Sequence, residues 1–230
     1  MIHQHILASP RPGLSEAQFQ DYWLNVHAVK FASRIKQIKR DKIDLRVDWS
    51  GARAPPLWNG MAEIWLVNEA DQIASLQSPE FLQGARLDEP NWAAFWNTQV
   101  LDTDPHVVVD RMGETAPERG VKLFALLKRR NGLAVEDFRR RYMDEQAPRA
   151  ADVPGLLRHD VSFTRDSWYV VGEPRFDAAI HCWFANLATL EERYASKPDA
   201  LLPGDGGLVE PRYVFPLAFR EHWVVGPEPR

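Results

Sequence analysis

Apolar positions along the chain switch between two periods. Residues 2–9 alternate as a strand, with His3, His5 and Leu7 on one face and Ile2, Gln4, Ile6 and Ala8 on the other. Past Pro10 and Pro12 the spacing changes to three and four: Phe19, Tyr22, Trp23 and Val26 form the stripe of an amphipathic helix over residues 16–32. Ser15 and Gln18 make a Ser-x-x-Gln capping box, with Leu14 and Phe19 as a hydrophobic staple, so the helix starts near Glu16. His27 follows Trp23 by four residues and sits at the margin of the stripe. Strands at 42–49 and 60–67, a helix at 69–76 before Pro79 and a strand at 104–110 complete a β-α-β-β-α-β order. Glu63 and Trp65 share one face of the third strand.

The pattern then repeats. A shift of 119 residues lays Gly13, Leu14, Phe19, Ala28, Ala32, Asp41, Arg46 and Trp49 on Gly132, Leu133, Phe138, Ala147, Ala151, Asp160, Arg165 and Trp168. At the third strand the shift becomes 118, and His181 and Trp183 stand for Glu63 and Trp65. The second copy predicts strands at 121–128, 157–168 (with a hairpin about Thr164-Arg165-Asp166), 178–185 and 214–225, and helices at 135–146 and 188–196. His106 and His222 take corresponding places in the last strands. Residues 111–120, polar with Gly113, Pro117 and Gly120, read as a linker between halves 1–110 and 121–225. The fold class expected is α+β: tandem ferredoxin-like halves, each a sheet with helices on one face. The bare faces would close into an intramolecular α+β barrel around a cavity.

Composition narrows the partners. A net charge of −4, with basic residues not interleaved with aromatics, argues against nucleic acid and anionic membranes. Lys36, Lys39, Arg40 and Lys42 read as a solvated face. A single cysteine, Cys182, excludes an internal disulfide and suits a reducing compartment, and no apolar run approaches 18 residues, so a soluble cytoplasmic protein is expected. Either a monomer or a homodimer is compatible with the duplication.

Pro12-Gly13-Leu14-Ser15, Phe19, Tyr22-Trp23 and His27-Ala28, followed by Met61-Ala62-Glu63-Ile64-Trp65 and Ser78-Pro79-Glu80, resemble the EthD-type branch of the dimeric α+β barrel proteins. The second half, with Gly132-Leu133, Phe138, Tyr142, Ala147-Pro148 and Cys182-Trp183, is similar to a diverged copy. The resemblance implies small aromatic or polyketide-like ligands, and activities that include isomerisation, elimination, cyclisation and oxidation without a nucleotide cofactor. Related superfamilies hold haem. The family's helix closes His-Ala-Pro; here His27-Ala28 is followed by Val29, and Gln146 precedes Ala147-Pro148. A histidine-based site would therefore occur once per chain.

The candidate catalytic residues are His27, Glu63, His181 and His5, with Tyr22, Trp65 and Trp183 to hold a ring. An imidazole moves protons near neutrality, and a carboxylate on an apolar strand must be paired or raised in pKa. The structural alternatives are a helix-edge histidine bonded to a backbone carbonyl, and a Glu63 ion pair with Arg11 or Arg46. His3 and His5 have the His-x-His spacing of metal ligands, but no third ligand stands at a diagnostic spacing, so no metal is assigned. No Gly-x-Gly-x-x-Gly, Walker loop, Gly-x-Ser-x-Gly elbow or Cys-His cluster occurs. The glycine-rich 203–207 segment reads as a loop. The function expected is cofactor-independent proton transfer by a lyase, dehydratase, isomerase or cyclase. The competing readings are a haem- or apolar-ligand-binding barrel or an accessory protein to an oxygenase.

Overall fold

A computed structural model describes residues 1–52, 55–112, 120–204 and 206–230. Most of the expected linker, residues 113–119, and Asp205 of the glycine-rich segment lie outside the described residues. The elements run β1 (Ile2–Ala8), α1 (Glu16–Tyr22), β2 (Arg40–Val47), β3 (Gly60–Leu66), α2 (Glu69–Gln77), α3 (Arg86–Asp88), β4 (Gln99–Asp110), β5 (Val121–Arg129), α4 (Val135–Arg141), α5 (Ala147–Ala151), β6 (Leu156–Thr164), α6 (Asp166–Val171), β7 (Ala178–Phe184), α7 (Leu187–Ser196), α8 (Pro198–Leu201) and β8 (Val209–Val225). The hydrogen-bonded strand order β1-β3-β2-β8-β5-β7-β6-β4 closes on itself as an eight-stranded α+β barrel. Two compact units make up the chain: residues 1–46, 55–102 and 221–230, and residues 47–54 and 103–220.

In the first unit β3 is central. It pairs antiparallel with β1, His5 opposite Glu63, and with β2, Lys42 opposite Glu63. Ile2, Ala8, Ile43, Ala62, Ile64 and Leu66 turn to the helices and form one core with Phe19 and Trp23. By strand alternation His3, His5, Lys42, Asp44, Glu63 and Trp65 occupy the opposite face. The capping box forms as expected: Gln18 N donates to Ser15 Oγ at 3.2 Å, and Ser15 N donates to Gln18 Oε1 at 3.0 Å. The helix is not uniform, however. α1 passes into a wide π-type turn, Trp23–Ala28, and a 3₁₀ turn follows at Ala32–Arg34. The extra residue per turn brings Trp23, His27 and Ala28 all to the buried side.

In the second unit β7 pairs with β5 and β6, and β4 extends the sheet beside β6. Leu123, Val161, Ile180 and Cys182 face the helices with Phe138 and Tyr142. The expected hairpin near Thr164 is instead a strand end followed by α6. Arg139 Nη2 donates to the Thr164 carbonyl at 2.6 Å and to Asp166 Oδ1 at 2.7 Å, which ties off the strand and anchors the acidic first turn of α6. β4 and β8 both start earlier than expected, at Gln99 and Val209, because polar Gln99 and Thr103 and the prolines of β8 mask their alternation.

The 119-residue alignment holds through α1 and α4 but not into the second strands. Asp41 faces the helices with Ile43, whereas Asp160 shares the opposite face with Arg158, whose Nε donates to Asp160 Oδ1 at 2.9 Å. A one-residue slip puts His159 and Val161 where Asp41 and Ile43 stand, since a slip of one reverses every side chain. Trp49 is buried against Tyr194, while Trp168 is partly exposed on α6.

His159 is fully buried. Its Nδ1–H donates to the His181 carbonyl at 2.9 Å, leaving Nε2 to accept from Tyr142 Oη at 3.1 Å. Burial holds this imidazole down at about 4, below its ordinary 6.5. Only the unfolded chain takes up that proton between these values. Acidification through pH 6.5 to 4 is therefore expected to remove up to roughly 3 kcal/mol of stability. In denaturant unfolding, His159→Gln should flatten this stretch of the stability–pH curve. Cys182 Sγ lies 3.3 Å from the same imidazole, and burial raises its thiol well above the ordinary range, so it is an unreactive core thiol.

Candidate functional site

Packing of the first unit leaves a cavity of about 110 Å³ between its helices and the helix-facing side of its sheet. The volume exists because Ala32, Ala62 and Ala85 meet there from different elements, among Trp23, Trp92 and Phe81. The titratable or polar groups that line this apolar space include His27, Asp41, Glu89 and the Trp92 indole, with Gln4 and Ser75.

His27 is delivered by the π-type turn. Its Nδ1 lies 2.9 Å from Asp88 Oδ2, and its ring packs 4.7 Å from Trp92. Asp88 also accepts from Tyr22 Oη at 2.8 Å and from Asn91 Nδ2 at 3.0 Å. Burial pushes the Asp88 carboxyl up, but the hydrogen bonds from Asn91, His27 and Tyr22 outweigh it and keep the group ionised below its ordinary value. A carboxylate at Nδ1 fixes the proton there and leaves Nε2 as the basic nitrogen. Burial lowers the His27 pKa, against the pull of Asp88, so the imidazole is neutral at pH 7.

Asp41 is 1% exposed, and among the described residues neither carboxylate oxygen has a hydrogen-bond partner. Burial raises its pKa to about 7, partly opposed by the charge of Arg230. The Trp92 indole N–H is likewise buried with no partner among the described residues. Glu89 is pushed up by burial and held by Arg86 at 2.7 Å. One wall thus offers a neutral imidazole base and another a carboxyl poised to give up a proton, the separation of pKa values that acid–base sites use.

The sequence candidates divide between two faces. His27 belongs to the cavity. Glu63 does not: it alternates with Ala62 and Ile64 and points from the other side of the sheet, so these two cannot serve one substrate. Glu63 is engaged by a lysine and two histidines. It contacts Lys42 Nζ at 2.9 Å, His3 Nε2 at 2.7 Å and His5 Nε2 at 3.8 Å, while Arg46 pairs with Glu16 and Arg11 donates to the Asn91 carbonyl. Lys42, expected on a solvated face, is buried there. Trp65 lies on the Glu63 side, stacked on His3 at 4.3 Å. Tyr22, expected to hold a ring, donates its hydroxyl to Asp88, the partner of His27. In the second unit His181 and Trp183 stack at 5.6 Å on the face away from the helices, with Lys122 over Trp183. At the position matching His27, Gln146 Nε2 donates to the Asp199 and Ala200 carbonyls, a structural tie to α8.

Asp88, Asp41, Glu89 and Trp92 were missed as site residues. Asp41 carried a signal, a carboxylate alternating with Ile43 on a strand. Asp88 carried none, because its 61-residue separation from His27 is closed only by tertiary packing.

Residues 11–95 match the EthD domain model. No curated protein matches the chain in sequence. Among solved structures, an anthrone oxidase-like protein aligns with a TM-score of 0.67 at 12% identity, covering 98% of this chain and 93% of that one. A protein of Fusobacterium nucleatum subsp. nucleatum, named as an inferred monooxygenase, gives 0.61 at 7% identity over 100% and 95%. A chlorite dismutase variant from Candidatus Nitrospira defluvii gives 0.51 at 12% identity over 95% and 91%. These likenesses establish the α+β barrel fold. Among the described residues no helix is long and apolar enough to cross a membrane.

Proposed function

We propose, on the match of residues 11–95 to the EthD domain model, that the helix-side cavity of the first unit binds a small, largely apolar carbonyl compound and moves a proton on it without a nucleotide cofactor. The observation that carries this reading is the buried Asp41 carboxyl, with no hydrogen-bond partner among the described residues, lining the same cavity as an Asp-oriented neutral histidine. A buried polar group left unpaired costs about 1–3 kcal/mol, and a ligand oxygen would satisfy it.

His27 Nε2 takes a proton from the carbon beside the carbonyl, the bond's electrons move to the carbonyl oxygen, and the Asp41 carboxyl donates its proton there. An enol, a protonated His27 and an ionised Asp41 result, and reversal with return of the proton to another carbon gives an isomer. Loss of a leaving group or ring closure from the same intermediate gives the lyase or cyclase outcome. The names of the structural neighbours span oxidase, monooxygenase and dismutase chemistry, so fold does not select the reaction and the cavity must. The cavity, at about 110 Å³, is smaller than the apolar cavity of about 150 Å³ that holds benzene, so it takes a single small ring only as its lining side chains shift outward. A haem does not fit this cavity, which is well below the several hundred Å³ that larger ligands occupy.

The test is exchange of the methyl protons of acetophenone into D₂O, followed by ¹H NMR with the full chain. Enzyme-dependent exchange is expected. Asp88→Asn should lower it by about 10² or more at pH 7, because the amide no longer fixes the Nδ1–H tautomer. Exchange that survives Asp88→Asn unchanged would remove the dyad from the reaction.

A further inference from the structure

On the opposite face of the first unit's sheet, we propose a binding site for a divalent first-row transition ion held by His3, His5 and Glu63. One ligand atom of each falls within 4.8 Å of the other two. His3 and His5 alternate along β1 and so present their rings on one side, and the β1–β3 register sets Glu63 directly across from His5. Glu63 Oε2 lies 2.7 Å from His3 Nε2 and 3.8 Å from His5 Nε2. Ligands about 2.0–2.2 Å from a shared metal stand roughly 3.0–3.4 Å apart, so the observed spacings bracket a coordination site.

The surroundings suit an ion. His5 is fully buried, with His3 and Glu63 almost as enclosed. The His3 ring is fixed by stacking on Trp65, 14° from parallel. Glu63 Oε1 accepts from Lys42 Nζ at 2.9 Å, which leaves Oε2 turned toward the imidazoles as a single-oxygen ligand. Lys42 is itself placed by Glu221 and by the faces of Trp65 and Trp223, the outer support that orients metal-binding carboxylates. Asp44 and Glu221 bring two more carboxylates within 4.8 Å of Glu63 and offset the lysine charge. Two imidazoles and one carboxylate are the donor set of catalytic zinc and non-haem iron centres, with positions left open for water or substrate. The His-x-His spacing visible in the sequence lacked a third ligand because that ligand arrives from another strand. This site is separate from the cavity and independent of the function proposed for it.

The test uses the full chain without a metal-binding tag, treated with EDTA, then titrated with Zn²⁺ and with Co²⁺. One equivalent per chain is expected at pH 7.5, with affinity reduced at least tenfold in His5→Gln and in Glu63→Gln and unchanged in His27→Gln. Binding should also weaken as the pH falls below the imidazole range. No uptake by the folded chain, or equal uptake by His5→Gln, overturns the proposal. Should the variants fail to fold, electron paramagnetic resonance of the Cu²⁺-loaded wild-type chain decides: nitrogen coupling supports the site and all-oxygen coordination overturns it.

Discussion

Replacing His27 by glutamine is expected to slow cavity-catalysed proton exchange by 10²–10⁴, the usual contribution of a positioned general base. The chain should remain folded, because glutamine preserves a hydrogen-bonding group toward Asp88 and the second unit already carries Gln146 at the matching position. Glu63→Gln, on the opposite face of the same sheet, should leave the exchange rate within a few-fold of wild type. The pH profile offers an independent reading. Activity should rise through the His27 pKa, which burial sets below 6.5, and fall near pH 7 as Asp41 loses the proton it must donate. Asp41→Asn should remove that alkaline limb. A His27→Gln enzyme that exchanges at the wild-type rate would require a different base.

The second large effect is on stability. The Asp41 carboxyl is held protonated in the folded chain up to about pH 7, against an ordinary 3.8 when unfolded. Because the folded value is raised, its contribution is fully present below pH 4. It is lost as the pH rises toward 7, since the unfolded chain releases the proton first. The loss reaches about 4 kcal/mol. Asp41→Asn does not titrate, so the stability difference between variant and wild type should grow in the variant's favour from pH 4 to pH 7 and then level off. Urea unfolding at a series of pH values measures it, and parallel curves for the two proteins would show that Asp41 ionises freely. A stabilising substitution at this position that also impairs activity is the trade expected of a functional residue.

How much of this was legible in the sequence follows from the range of each interaction. The capping box at Ser15 and Gln18 is a contact across three residues, and it formed where the residue types placed it. The β-α-β-β-α-β order followed from periodicity, which is local, and the duplication was visible because Phe19 and Phe138 keep the same packing place. His27 was singled out because its copy lost the imidazole. Three things were hidden. The partner of His27 comes from residue 88, through packing that no local pattern encodes. The π-type turn depends on which of Trp23, His27 and Ala28 are buried, which is a tertiary matter. The placing of His27 and Glu63 on opposite sides of the sheet followed only once Ala62 and Ile64 were seen against the helices, because alternation alone does not say which face is covered. The same ambiguity made the identity of Asp41 with Asp160 misleading, although both are aspartates at the aligned position.

Where the ligand binds can be read by ¹⁹F NMR of the 5-fluorotryptophan-labelled chain titrated with acetophenone. With resonances assigned by Trp→Phe substitution, shifts are predicted at Trp23 and Trp92, which line the cavity, with Trp65 and Trp223 unmoved. Shifts confined to Trp65 and Trp223 would place the ligand on the far side of the sheet and exclude the helix-side cavity as its site.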